Sequence, residues 1–167
     1  MNHEKDSYLG NINVKRDGIV QDWTQEQVVE YSKCMQNPAY FAKTYCKIIS
    51  LDSGLVPFEL YPYQERMFDH FNEHRFSIVL ACRQSGKSIS SVVYLLWYAV
   101  FHPEKTIAIL ANKGATAREM LSRVTLALEN LPFFLQPGCK ALNKGSIEFS
   151  NNSRIVAAAT SGSSIRG

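Results

Sequence analysis

Ser77-Ile78-Val79-Leu80-Ala81-Cys82-Arg83-Gln84-Ser85-Gly86-Lys87-Ser88 is the stretch on which the fold of this chain turns. Ser77 to Ala81 is a short apolar run ahead of a glycine-containing turn, which predicts a buried strand. Lys87 to Phe101 is apolar nearly all round and predicts a buried helix. Between them, Gly86-Lys87-Ser88 matches the end of the G-x-x-x-x-G-K-[ST] phosphate loop, at the strand-to-helix turn such a loop occupies. Consecutive backbone N–H groups over Gln84, Ser85, Gly86, Lys87 and Ser88 would form an anion nest reinforced by the helix dipole. Gly86 lets backbone approach phosphate, the Lys87 ammonium reaches β/γ oxygens, and the Ser88 hydroxyl suits Mg²⁺. Two residues depart from the generic motif: Ala81 stands where the first glycine belongs, and Arg83 lies inside the loop. Taken alone, Gly86-Lys87-Ser88 reads equally well as an ordinary helix start; the flanking elements favour the phosphate reading.

Downstream, Thr106 to Ala111 predicts a second buried strand. Ala117, Leu121, Val124, Leu128 and Leu131 then recur at helical spacing, and Pro132 stops that helix. Strand, crossover helix and strand imply a parallel pair with a right-handed connection. Ser146 to Phe149 and Arg154 to Ala157 flank Asn151-Asn152, which predicts an antiparallel hairpin followed by a polar loop over 160–164. Upstream, Tyr63 to His74 reads as a helix with Met67, Phe68 and Phe71 on its apolar face. Val56 to Leu60 reads as extended, and Asp52-Ser53-Gly54 as a turn. Pro38 opens a helix to about Ile49. Thr24 and Gln27 form a capping box, with Trp23 and Val28 as a hydrophobic staple. Residues 1–22 are polar without periodicity and read as a loose arm. The expected organisation is therefore this arm, a helical region over 23–60, and an α/β core over 61–167.

The 167 residues, 46% apolar and 20% charged, suit one globular domain and exclude a disordered or collagen-like chain. Residues 1–60 carry 6 basic and 8 acidic side chains, and 61–167 carry 12 and 7, so a polyanion would meet the second half. A solvated basic face explains the same asymmetry. Cys34, Cys46, Cys82 and Cys139 have neither C-x-x-C spacing nor histidines at ligand distance, which argues against zinc and for free thiols. No stretch matches a signal peptide or a membrane span, so a soluble intracellular protein is expected.

Tyr61-Pro62-Tyr63-Gln64 stands about 20 residues before the loop. On its own it reads first as a plain helix start with an exposed Gln, and second as an adenine contact, since an amide suits the N6 and Hoogsteen edge. No aspartate follows Lys87. Of the later glutamates, Glu148 in a hairpin strand is the one candidate for a Mg²⁺ carboxylate, and its flanking apolar residues turn it to solvent. The chain thus shows a phosphate cradle without catalytic carboxylates.

These residues together resemble the ATPase domain of the large terminase subunit of tailed double-stranded DNA bacteriophages, the myovirus type above all. The resemblance rests on Leu60 to Gln64, Cys82 to Ser88, Ile109 to Gly114, Leu131 to Gly138, Asn143 to Glu148 and Ser163 to Gly167. It implies a P-loop NTPase core of the RecA/ASCE type, binding ATP and Mg²⁺ in a motor that packages double-stranded DNA into proheads in the host cytoplasm. It implies a portal protein and a small terminase subunit as partners, with no membrane. It places Arg83 on the γ-phosphate, as the arginine of the family's deviant loop, and Gln64 on adenine. Arg166 becomes a candidate arginine finger, with capping of the hairpin loop as its structural alternative. Family members continue into a carboxylate strand, a coupling motif and a nuclease domain, so the expectation is a chain truncated before the Walker B strand. Such a chain would not hydrolyse ATP alone. The rival reading is a non-catalytic module that complements or blocks a motor subunit, through an unpaired sheet edge. A small P-loop kinase fits the length but lacks the aspartate after the loop.

Overall fold

The computed structural model describes residues 3–50 and 52–160. The chain opens with α1 (His3–Asp6), then β1 (Ser7–Tyr8) and β2 (Asn11–Lys15), which pair antiparallel. This corrects the expected loose arm. Val14 is fully buried, Ser7 and Lys15 are buried, and Asp17 N–H donates to the carbonyl of Cys139. The segment is held by an amide more than a hundred residues away. Gln136, itself 1% exposed, accepts from Lys15 N–H at 2.9 Å and donates to the carbonyls of Asn13, Leu128 and Leu131. Polar composition therefore did not mean solvation: backbone groups of β2 are satisfied by one buried side chain.

Helix α2 (Gln25–Gln36) begins as expected, with Thr24 and Gln27 closing a reciprocal capping box. Trp23 packs edge-on against Tyr31 and Phe134, while Val28 is half exposed. Helix α3 (Pro38–Tyr45) starts at its N1 proline with Asn37 as the cap. It ends earlier than expected, because Lys47–Ser50 form β3, paired antiparallel with β4 (Gly54–Pro57). β-branched Ile48 and Ile49, with the turn at Asp52 to Gly54, favour this hairpin over another helical turn. Helix α4 (Pro62–Glu73) buries Met67 and Phe68.

Helix α5 (Lys87–Phe101) is the central pillar, with nine buried residues including Val92, Val93, Leu96 and Trp97. Beyond it lie β5 (Thr106–Ala111), α6 (Gly114–Glu129), β6 (Cys139–Leu142), β7 (Ser146–Phe149) and β8 (Arg154–Ala159). The last four strands make one mixed sheet in the order β5-β8-β7-β6. β5 and β8 run parallel, in register from Thr106 opposite Arg154 to Ala111 opposite Ala159. β7 and β8 form the expected hairpin, with Asn152 at φ +63° in its turn. Glu148 is exposed, as its neighbours foretold. Ile147, Phe149 and Ile155 are fully buried, and α6 packs along β8 and β5 through its apolar face of Ala117, Leu121, Val124 and Leu128.

One central expectation fails. Ser77 to Ala81 is not a buried strand, and β5 takes β8, not this segment, as its parallel neighbour. Ile78 and Leu80 are 96% and 99% exposed, and Phe76 is 80% exposed. An apolar run states a preference for burial, but a strand also needs a neighbour's edge. Among the described residues no strand pairs with this segment. The architecture is thus α/β, with a mixed sheet and helices packed against it.

Candidate functional site

The loop between the exposed segment and α5 is shaped by its own side chains. Ser85 Oγ and Lys87 Nζ both donate to the carbonyl of Cys82, each at 3.0 Å, which folds the turn over itself. Gln84 and Gly86 carry positive φ, +60° and +82°, and Gly86 is the residue before the first helical turn. Glycine is required there twice over: by that φ, and because a Cβ would lie 2.8 Å from Gln64 Nε2. Among the described residues, no carbonyl accepts from the N–H groups of Gln84, Ser85 or Gly86. They are therefore donors left available beside the helix start.

The surrounding elements hold the loop from below. Gln64, from the first turn of α4, is 1% exposed, not the exposed helix-start residue its sequence context suggested. Its Oε1 accepts from Tyr61 N–H and its Nε2 donates to Ser90 Oγ, both at 2.8 Å. Ser90 Oγ in turn donates to the Gly86 carbonyl at 3.0 Å. This chain of bonds ties α4, the loop and α5 into one unit. Tyr63 presents a buried hydroxyl with no hydrogen-bond partner, about as close to the Gly86 Cβ position as van der Waals contact, at 3.6 Å.

Lys87 and Ser88 open onto a cleft of about 580 Å³, together with Gln84 and Gly86. The opposite walls are Lys47 to Ile49 of β3 and Arg123 and Leu126 of α6. Among the described residues, no Asp or Glu lines it. The volume falls within the usual range for a small-molecule site. The donor set fits a polyphosphate: available N–H groups, the half-buried Lys87 ammonium and the Ser88 hydroxyl. Ser88 is the hydroxyl that would hold Mg²⁺ there, with phosphate and water completing the shell.

The structure brings Gln64, Gln84, Ser85, Gly86, Lys87 and Ser88 together. Arg83 is exposed in the same turn, with no ion pair among the described residues. Arg166 lies outside the described residues. Lys47 and Arg123 escaped the reading of the sequence. Nothing local marks them: one begins a short hairpin, and the other reads as the partner of Glu119 one helical turn earlier. No cluster of His, Cys, Asp or Glu could hold a metal, and no helix is long and apolar enough to cross a membrane, among the described residues. The family model for the N-terminal part of the large terminase subunit, T4-like-virus type, matches residues 78–167, from the exposed segment through the loop and the mixed sheet.

Proposed function

Since the chain belongs to the family of N-terminal regions of T4-like-virus-type terminase large subunits, we propose that its cleft is the ATP-binding site of a motor that packages double-stranded DNA. The observation that carries this reading is the loop over residues 82–88: unpaired N–H groups at a helix start, with Lys87 and Ser88 facing one cleft. In it Lys87 gives up the Cys82 carbonyl to hold phosphate oxygens, a stronger charge-assisted bond. Ser88 ligates Mg²⁺, and Arg83 swings from solvent to the γ-phosphate. Gln64 is buried and bonded to Tyr61 and Ser90, so a contact with adenine requires the loop to open and Gln64 to give up one of these bonds. Arg166 keeps the role of a candidate arginine finger. Bound ATP-Mg²⁺ supplies the phosphoryl group whose hydrolysis drives the motor. DNA phosphates meet the basic second half of the chain, and portal and small terminase subunits complete the assembly in the host cytoplasm.

Saturable binding of a fluorescent ATP analogue with Mg²⁺, lost in Lys87→Ala, is the expected result. Binding indifferent to Lys87→Ala overturns the reading. Hydrolysis by this chain is expected to be negligible, because among the described residues no carboxylate lines the cleft to hold Mg²⁺ or activate water. Turnover that disappears in Lys87→Ala would refute that.

A second reading, a module that complements or blocks a motor subunit, is favoured by one observation. Ile78 and Leu80 stand in solvent on an extended segment, and the outer edge of β5 is unpaired among the described residues. Such edges accept a strand from a partner. Light scattering after size exclusion, with and without a carboxylate-bearing motor subunit, separates the readings; a monomer indifferent to that subunit excludes complementation.

A further inference from the structure

We infer that Lys47 of β3 and Arg123 of α6 bind the polyphosphate of the nucleotide from outside the phosphate loop, an inference that rests on the ATP reading of the cleft. The two side chains line the same space as Gln84, Lys87 and Ser88, although they arrive from elements 40 and 36 residues away from Lys87 in sequence. Three cationic side chains therefore line one cleft with no carboxylate in its lining among the described residues. Among the described residues Lys47 and Lys87 have no carboxylate partner and Arg123 has only the exposed Glu119, so the cluster is under-compensated and an anion of several charges relieves its mutual repulsion.

Each residue is both placed and available. Lys47 follows Cys46, which is 2% exposed and whose carbonyl accepts from the N–H of buried Phe58 at 2.9 Å. The root of the hairpin is thus anchored in the core, while the Lys47 side chain is exposed and makes no ion pair among the described residues. Arg123 is held only by Glu119, at 2.7 Å, and the two side chains are 44% and 63% exposed. An exposed pair of this kind is weak, whereas a guanidinium on phosphate makes a bidentate, charge-assisted contact. Arriving phosphate therefore takes Arg123 from Glu119, and the exchange links nucleotide occupancy to the face of α6. The hairpin contributes Lys47 in the same way, which brings the region before the loop into contact with the bound ligand. Ile48, Ile89 and Leu126 supply apolar wall between the charges.

The test measures equilibrium binding of a fluorescent, non-hydrolysable ATP analogue with Mg²⁺ over a range of salt concentrations. The variants are Lys47→Ala, Arg123→Ala, Arg123→Lys, Glu119→Gln and Lys87→Ala, each checked for folding by circular dichroism. Lys47→Ala and Arg123→Ala are expected to weaken binding about tenfold each, as befits one lost charge-assisted bond, and to flatten its salt dependence. Arg123→Lys recovers part of the loss. Glu119→Gln tightens binding, because it removes the competitor for Arg123. Unchanged affinity and salt dependence in both alanine variants, with binding still abolished by Lys87→Ala, overturns this inference and leaves the ATP reading intact. Absence of binding by the folded wild-type chain, or binding indifferent to Lys87, overturns both.

Discussion

Gly86 carries two demands in one atom's worth of space. Its φ of +82° is a conformation L residues adopt at a cost of about 1–3 kcal/mol, and a Cβ there would strike Gln64 Nε2, which Ser90 keeps in place. Gly10 has nearly the same φ, +83°, with nothing within 4 Å of its Cβ position. Gly86→Ala is therefore expected to lower the thermal midpoint more than Gly10→Ala, and to weaken nucleotide binding that Gly10→Ala leaves unchanged. Equal losses in the two variants would show that backbone conformation, not the contact with Gln64, makes glycine necessary. Gln136 works at the same scale through four hydrogen bonds to backbone groups of β2 and the end of α6. Gln136→Leu preserves apolar bulk but strands those groups, each at about 1–3 kcal/mol when buried. The expected outcome is a cooperative unfolding transition at clearly lower denaturant concentration, with amide exchange of β2 rising first.

Elements formed where a local signal and a distant partner agreed. The cap at Thr24, the proline starts of α3 and α4 and the periodicity of α6 are all local, and all four helices begin where those signals put them, although α3 stops short of its expected end. The hairpin between β7 and β8 follows from its turn residues, and Asn151 anchors it by donating to the carbonyls of Ala99 and Val100 at the end of α5. Packing at Gly138 joins the first element to the last sheet: a Cβ there would meet the Arg16 carbonyl at 2.8 Å and Asp17 Cα at 2.9 Å. Backbone atoms cannot yield as a flexible side chain does. Gly138→Ala is expected to destabilise the protein by about 1–3 kcal/mol, and limited proteolysis should then cut first within residues 9–22. Unchanged protease resistance would mean that β2 docks without this close approach.

At the scale of the whole molecule, burial decides chemistry. Three of the four thiols are buried and only Cys82 is exposed, so a thiol reagent should titrate one cysteine quickly and the others only on unfolding. Burial also pushes thiol ionisation up, Cys34 to about 12 and Cys139 to about 11, with Cys46 raised further. Above pH 9, where an unfolded chain loses these protons and the folded one keeps them, the unfolded state binds fewer protons and stability falls. Lys15 runs the other way, since burial lowers its ionisation and favours the fold as pH rises toward the ordinary lysine value of 10.5. One lysine opposes three thiols and the tyrosines whose ionisation burial also raises, Tyr31, Tyr45 and Tyr94, so thermal midpoints should drop between about pH 9 and 11; a flat profile would contradict the burial of these groups.

Caps, periodicity and turn residues act over a few positions, and in the sequence by itself they sufficed to place α2, α4, α5, α6, the start of α3, the final hairpin and the family, while α1 and the early end of α3 were not legible. Tertiary structure alone decided three things. β5 pairs with β8 and leaves Ser77 to Ala81 in solvent, since a strand is completed by another strand's edge and not by its own hydrophobicity. The polar first residues fold because Gln136, far along the chain, satisfies their backbone. Lys47 and Arg123 share a cleft with Lys87 and Ser88 because α5 packs on α3, which leads into β3, and on α6, a juxtaposition no local pattern encodes.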